Sequence, residues 1–127
     1  IGGVIESVSK GTKKYDGTTI GILILPDLDP SQANKWAYIL IWSGLGDTRN
    51  LIVDRAGFAV IAIGGAYGTL SEIGHALYDK KPLISLNSWR LIIEEVEDMG
   101  MIMVKTPDEA LNKVLFMKSS NLSTGWL

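Results

Sequence analysis

The amino-acid sequence predicts an α/β protein with a Rossmann-like, three-layer α/β/α architecture and a mostly parallel sheet. Short apolar runs alternate along the chain with segments of helical periodicity. Nearly every position within these runs is apolar, as is typical of strands buried on both faces of a parallel sheet. The 127 residues, 46% of them hydrophobic, suffice for one core. We therefore expect one Rossmann-like domain over residues 1–117 and a flexible polar tail at residues 118–127.

Five apolar runs are predicted to be strands. Each is rich in β-branched or large apolar residues and lies next to glycine, proline or small polar residues. In chain order they are residues 18–25, 36–42, 58–63, 83–86 and 101–104. The connection between the first two is shorter than a parallel crossover usually requires, so their relative direction stays open. In a parallel sheet of this kind, ligands bind at the carboxyl ends of the strands.

Apolar residues at helical spacing predict a helix before the third strand. Asp47 is placed to cap this helix, which would turn Leu51, Ile52 and Ala56 inward. Arg49 would lie in its first turn, where a cation opposes the helix dipole. That position favours a side chain that faces a bound anion, and the alternative is a solvated arginine.

Two further helices are predicted after the fourth strand. Ser88 is placed to cap the first, because the apolar residues of 89–96 follow an i, i+3, i+4, i+7 pattern. Residues 106–109, Thr-Pro-Asp-Glu, form a capping box with proline at the first helical position, which opens the last helix. We expect Leu111, Val114 and Leu115 on its buried face.

Residues 64–72, Gly-Gly-Ala-Tyr-Gly-Thr-Leu-Ser-Glu, join the third strand to an amphipathic helix. Glycines let a ligand approach the backbone, and the first N–H groups of a helix are unpaired at the positive end of its dipole. This arrangement favours a bound phosphate. The glycine spacing matches neither the dinucleotide fingerprint nor a Walker A loop. A tight strand-to-helix turn without a ligand therefore remains the alternative.

The composition argues against several functional classes. The chain has no cysteine and one histidine, which excludes disulfides, thiolate zinc sites and histidine-rich metal sites. The formal net charge of −2 argues against general binding of nucleic acid or anionic membrane. No apolar run approaches the roughly 20 residues of a membrane span. We expect a cytoplasmic protein with no metal site.

Together with Thr48-Arg49-Asn50 upstream, the 64–72 loop resembles the Lonely Guy family, cytokinin-activating phosphoribohydrolases long mislabelled as lysine decarboxylases. An arginine upstream of a Pro-Gly-Gly-x-Gly-Thr-x-x-Glu loop marks that family. Gly64 replaces the proline, which makes the chain most similar to the branch containing the molybdenum cofactor carrier proteins. The resemblance covers residues 3 to about 82 and departs at Ala66, where the family has glycine. Because the family's first β-α-β unit is missing, we expect an N-terminally incomplete protein.

The resemblance implies that Arg49 and Glu72 form the catalytic pair. It implies that the loop binds the ligand's phosphate through Gly64, Gly65, Ala66, Tyr67, Gly68 and Thr69. The reaction would be hydrolysis of the N-glycosidic bond of a nucleoside 5′-monophosphate to base and ribose 5-phosphate, with no required cofactor. The alternative is a non-catalytic carrier of a nucleotide or of the molybdenum cofactor, a phosphorylated pterin. Glu72 also has a purely structural alternative, as the acidic end of a capping box that begins at Thr69.

The expected partners are a small phosphorylated ligand and further copies of the chain. The four tryptophans are more large aromatic residues than one small core readily buries. The resemblance also implies pairing through helices. We therefore expect a homodimer or a higher homo-oligomer.

Overall fold

The computed structural model describes residues 3–23 and 39–123. The chain forms two compact units, Ile1–Arg49 and Asn50–Leu127, here called unit 1 and unit 2. The described elements of unit 1 are α1 (Gly3–Lys14), β1 (Ile20–Leu23), β2 (Ile39–Trp42) and a short 3-10 helix (Gly46–Thr48). The elements of unit 2 are α2 (Arg49–Ala56, whose first residue closes unit 1), β3 (Val60–Ile63), α3 (Tyr67–Tyr78), β4 (Leu83–Leu86), β5 (Ile92–Ile93), β6 (Val96–Glu97), β7 (Met101–Val104) and α4 (Pro107–Ser123).

The first two strands pair in parallel within unit 1. Ile20 lies opposite Ile39, and the register continues without a break to the ends of both strands. The direction that the sequence left open is therefore parallel. Residues 24–25 and 36–38 of the two predicted strands lie outside the described residues.

Unit 2 is built on a three-stranded parallel sheet in the order β3-β4-β7. Leu83 at the start of the central strand is level with Val60 on one side and Met101 on the other. The carboxyl ends of the three strands therefore lie at the same edge of the sheet. That edge carries the connection from β3 to α3 and the residues that follow β4.

Side chains that alternate along β4 divide the core of unit 2 into two clusters. Leu83 belongs to a cluster with Ile73 and Ala76 of α3, and Ile84 and Leu86 belong to one with Ala110 of α4. The two helices therefore cover opposite faces of the sheet, and all four residues of β4 are buried. A strand covered on both faces explains why three of its four residues are apolar, with Ser85 the exception. The predicted α/β class with a parallel sheet between helices is confirmed.

The prediction of a helix that begins at Ser88 is wrong. Ile92 and Ile93 of β5 pair with Val96 and Glu97 of β6 in an antiparallel hairpin instead. Glu94 and Glu95 make its turn with φ angles of +48° and +69°. Arg90 and Glu97 pair across it through hydrogen bonds of 2.8 and 2.9 Å. The β-branched residues around the turn suit an extended backbone, and they lie exposed, so the helical pattern had no core to face.

The predicted inward face of α2 is wrong at two of its three residues, whereas the third, Leu51, is half-buried. Asn50 and Asp54 are buried, with exposed fractions of 7% and 1%, whereas Ile52 and Ala56 are exposed. The same helical spacing thus places polar residues inside and apolar ones outside. Asp47, the predicted cap, lies in the 3-10 helix that precedes α2.

The predicted start of α4 is confirmed. The backbone N–H of Glu109 donates to the Thr106 side-chain oxygen at 3.2 Å. Leu111 and Leu115, predicted to be buried, are exposed, whereas Val114 is half-buried and packs against the core cluster that contains Ala110. The helix continues to Ser123, and no helix among the described residues is long and apolar enough to cross a membrane.

Candidate functional site

The connection from β3 to α3 consists of three residues, 64–66. Gly64 has a φ angle of +55° and Gly65 one of +99°, in the region that favours glycine. A Cβ atom added at Gly65 would lie 2.1 Å from the side-chain oxygen of Thr69, which leaves no room for a larger residue. The N–H of Gly64 donates to the Leu86 carbonyl at 3.1 Å, so this end of the connection is fixed to the central strand.

The first turn of α3 lacks a side-chain cap. Ala66 is the N-cap residue, and its methyl group accepts no hydrogen bond from the turn. The first N–H groups of a helix have no partner within the helix, so those of Tyr67, Gly68 and Thr69 suit an anion. Thr69 lies inside the helix, three positions beyond the N-cap. The capping box proposed as the structural alternative for Glu72 is therefore wrong.

Side chains from the segment after β4 hold the carbonyl groups of this connection. The Ser88 hydroxyl donates to the Gly64 carbonyl at 2.7 Å, and the Trp89 indole N–H donates to the Ala66 carbonyl at 3.1 Å. Helical spacing predicts both residues in a helix, so neither was expected at the site. The signal was present in their position, since they follow the strand that neighbours β3 in a parallel sheet.

A cleft of about 420 Å³ opens at this edge of unit 2. Its lining residues are Gly64, Gly65, Asn87, Ser88, Trp89 and Arg90. The volume lies in the range of small-molecule sites, roughly 300–1,000 Å³. The Tyr67 and Trp89 rings stack with centroids 5.9 Å apart and an angle of 29° between the planes. Tyr67 is 79% exposed, so one face of this aromatic pair is open to a ligand.

Arg90 brings a positive charge to the margin of the cleft. Its side chain is bound to Glu97, and this hydrogen bond raises the pKa of Arg90 and lowers the pKa of Glu97. The two hydrogen bonds make the pair bidentate, and the Arg90 side chain is exposed while that of Glu97 is partly exposed. An anionic ligand at this margin would compete with Glu97 for the guanidinium group.

Glu72 has a second carboxyl group as its neighbour. Asp54 on α2 is 1% exposed, and neither of its carboxyl oxygens has a hydrogen-bond partner among the described residues. Burial first, and then the charges of Glu72 and Asp79, raise the pKa of Asp54 to about 7, against the opposing effect of Lys81. Asp54 is thus largely protonated below neutral pH and adds little negative charge beside Glu72.

Arg49, the other predicted catalytic residue, is the last residue of unit 1. Its Nη1 atom donates to the Ile22 carbonyl in β1 at 3.0 Å. Its Nε atom is buried without a hydrogen-bond partner among the described residues. The 64–69 loop and Glu72 belong to unit 2, where the six predicted loop residues form the strand-to-helix connection and the first three residues of α3. The pairing of Arg49 with Glu72 stays a prediction.

Comparison with known proteins identifies the family to which the chain belongs. Residues 1–111 match the family model described as the SLOG cluster4 family. The chain belongs to this family. The match confirms the predicted relationship to the superfamily that includes the Lonely Guy proteins.

Two relatives illustrate how far the similarity extends. An uncharacterized protein of Archaeoglobus fulgidus is 38% identical over 112 residues, which make up 88% of this chain and 68% of the relative. A solved structure of the molybdenum cofactor binding protein from the phototrophic bacterium Rippkaea orientalis is 30% identical, with a TM-score of 0.76. The similarity covers 91% of this chain and 71% of that chain.

Proposed function

We propose that the protein binds a small phosphorylated ligand that carries an aromatic ring system, either a nucleotide or a phosphorylated pterin such as the molybdenum cofactor. The observation that carries the proposal is the connection between β3 and α3. Two consecutive glycines at positive φ lead directly into a helix whose first turn has no side-chain cap. This is a backbone site for an anion.

The phosphate would bind the backbone of Gly64, Gly65, Ala66, Tyr67, Gly68 and Thr69. The uncapped N–H groups would donate to its oxygens, and the dipole of α3 would add to the attraction. Charge-assisted hydrogen bonds of this kind are roughly twice as strong as neutral ones. Arg90 would add a charged contact at the cleft margin by leaving Glu97.

The aromatic ring of the ligand would lie beside Tyr67 and Trp89. Aromatic rings prefer offset stacking, which contributes about 0.5–1.5 kcal/mol beyond the burial of area. The relative from Rippkaea orientalis is described as binding the molybdenum cofactor, which supports a phosphorylated pterin in this cleft. The residues present fit the phosphate and pterin parts of that cofactor. The chain has no cysteine, and no group of three or more potential metal-ligating side chains occurs among the described residues, so the metal would be held by the cofactor itself.

Binding without turnover is our first proposal, and hydrolysis of a nucleoside 5′-monophosphate is the second. The observation that favours the second is Glu72, a carboxyl group that lies half-buried on α3, the helix that begins at the glycine connection. Its carboxylate would stabilise the positive charge that develops on the ribose as the base departs with the bonding electron pair. Water would then add at the same carbon, and the proton that it loses would be balanced by the proton that the departing base takes up.

The test is to incubate the protein with adenosine monophosphate, related nucleotides and a phosphorylated pterin, and to measure both binding and the release of base. Binding without release supports the carrier. In the hydrolase, Glu72→Gln should keep binding and lower turnover by about 100-fold or more. Glu94→Gln on the exposed hairpin turn is the matched control and should change neither quantity. If none of these ligands binds, the proposed site is wrong.

A further inference from the structure

We propose that Ser88 and Trp89 are positioning residues that orient the backbone N–H groups of Gly65 and Tyr67 for the phosphate. The inference rests on the proposed function, and it concerns residues that lie outside the family's glycine motif. We call the two hydrogen bonds, from Ser88 to the Gly64 carbonyl and from Trp89 to the Ala66 carbonyl, the carbonyl clamp.

The clamp acts through the planarity of the peptide unit. In a trans peptide the carbonyl of one residue and the N–H of the next point in opposite directions. The described residues contain no cis peptide bond. Ser88 binds the Gly64 carbonyl, and the N–H of Gly65 therefore points away from Ser88. Trp89, by holding the Ala66 carbonyl, fixes the N–H of Tyr67 in the same way.

The clamp restricts the backbone at two adjacent glycines. Glycine populates positive and negative φ about equally, so Gly64 and Gly65 would sample several conformations if nothing held them. Gly64 is held on both sides, because its N–H donates to Leu86 at 3.1 Å and its carbonyl accepts from Ser88 at 2.7 Å. A loop already fixed in its binding conformation does not lose that entropy when the ligand binds.

Trp89 is itself held in place. Its ring stacks on Tyr67, and it packs against the core cluster that includes Ile73 and Leu83. The indole N–H therefore donates from a fixed position. The Ala66 carbonyl accepts a second hydrogen bond, from the N–H of Leu70 at 3.1 Å, so the clamp also ties the glycine connection to the first turn of α3.

The test compares Ser88→Ala, Ser88→Thr and Trp89→Phe with the wild-type protein. Ser88→Thr retains the hydroxyl group, and Trp89→Phe retains an aromatic ring while removing the N–H. Ser71→Ala, an exposed serine of α3, is the matched control. The probes are adenosine monophosphate and inorganic phosphate, with adenosine as the ligand that lacks phosphate. Affinity is measured by titration, and the amide resonances of Gly65 and Tyr67 are followed by NMR.

We expect Ser88→Ala and Trp89→Phe each to weaken binding of both phosphate probes by about tenfold, the effect of one positioning hydrogen bond. Adenosine binding should be unchanged in Ser88→Ala, and Ser88→Thr should restore the phosphate affinity. For Trp89→Phe, inorganic phosphate is the deciding probe, because it has no ring to stack on Trp89. The phosphate-induced shifts of the Gly65 and Tyr67 resonances should be lost in the two weakened variants. Should Ser88→Ala not fold by circular dichroism, Trp89→Phe decides the question.

Two outcomes would overturn the inference, and they are distinguishable. If the wild-type protein binds the phosphate probes and the clamp variants bind them equally well, the clamp is wrong and the proposed function stands. The same conclusion follows if Ser88→Ala weakens adenosine binding in step with phosphate binding, since the effect is then not on the amide groups. If the wild-type protein binds neither phosphate probe, the phosphate site is wrong and the clamp with it.

Discussion

Replacing Asp54 by asparagine should make the protein more stable at alkaline pH. The carboxyl group is 1% exposed, and its pKa is raised from 3.8 to about 7. The folded state therefore binds a proton more tightly than the unfolded state does. Between these two pKa values the free energy of unfolding falls as the pH rises, by about 1.36 kcal/mol per pH unit, and it levels off above the folded pKa.

The shift of about 3 pKa units corresponds to a total loss of roughly 4 kcal/mol, of which roughly 3 kcal/mol falls between pH 5 and pH 8. Asparagine has the same shape and carries no charge at either pH. Relative to the wild type, Asp54→Asn should thus gain roughly 3 kcal/mol over that interval. In the difference between the free energies of unfolding of the two proteins, the titration of every group that the substitution does not affect cancels.

The assay is urea unfolding at pH 5 and pH 8, followed by far-UV circular dichroism. Asp108→Asn, on the exposed first turn of α4, controls for the loss of a negative charge as such. A stability difference between Asp54→Asn and the wild type that is the same at both pH values would refute the reasoning, because it would mean that folding leaves the titration of Asp54 unchanged.

Three further predictions concern packing and backbone geometry. Gly65→Ala should abolish binding of adenosine monophosphate in a titration, because its Cβ would meet a side chain at 2.1 Å, whereas Gly74→Ala in open space on α3 should leave binding intact. Ile84→Ala, at a side chain with no exposed surface, should cost about 2–5 kcal/mol in urea unfolding, and Ile93→Ala at 77% exposure should cost far less. Thr106→Ala should cost about 1 kcal/mol by removing the cap of α4, and Thr106→Ser should restore most of it.

The sequence predicted the elements that local chemistry determines. The run at residues 83–86 is apolar except for Ser85, because helices cover both faces of β4. The 64–66 turn was recognisable because glycine is required at positive φ. The cap at Thr106 was recognisable because serine and threonine hydroxyls satisfy the first N–H groups of a helix.

The errors arose where tertiary partners decide the outcome. Helical spacing after β4 predicted a helix, but Ile92 and Ile93 have no core to face and form a hairpin strand. Asn50 and Asp54 lie on the buried side of α2, although their polarity predicts that they face solvent. Trp89 lies at the candidate site because β4 pairs with β3, and this pairing brings the residues after β4 beside the glycine connection.

The homo-oligomer stays a prediction that light scattering at micromolar concentration would test.

The most direct test of the central claim is whether the 64–69 loop recognises phosphate. Adenosine monophosphate and a phosphorylated pterin are titrated against the protein in parallel with the same compounds lacking the phosphate group. We predict that at least one phosphorylated compound binds at least about tenfold more tightly than its dephosphorylated counterpart, and that Gly65→Ala removes this difference. Equal affinities within each pair, or a preference for phosphate that survives Gly65→Ala, would contradict the account.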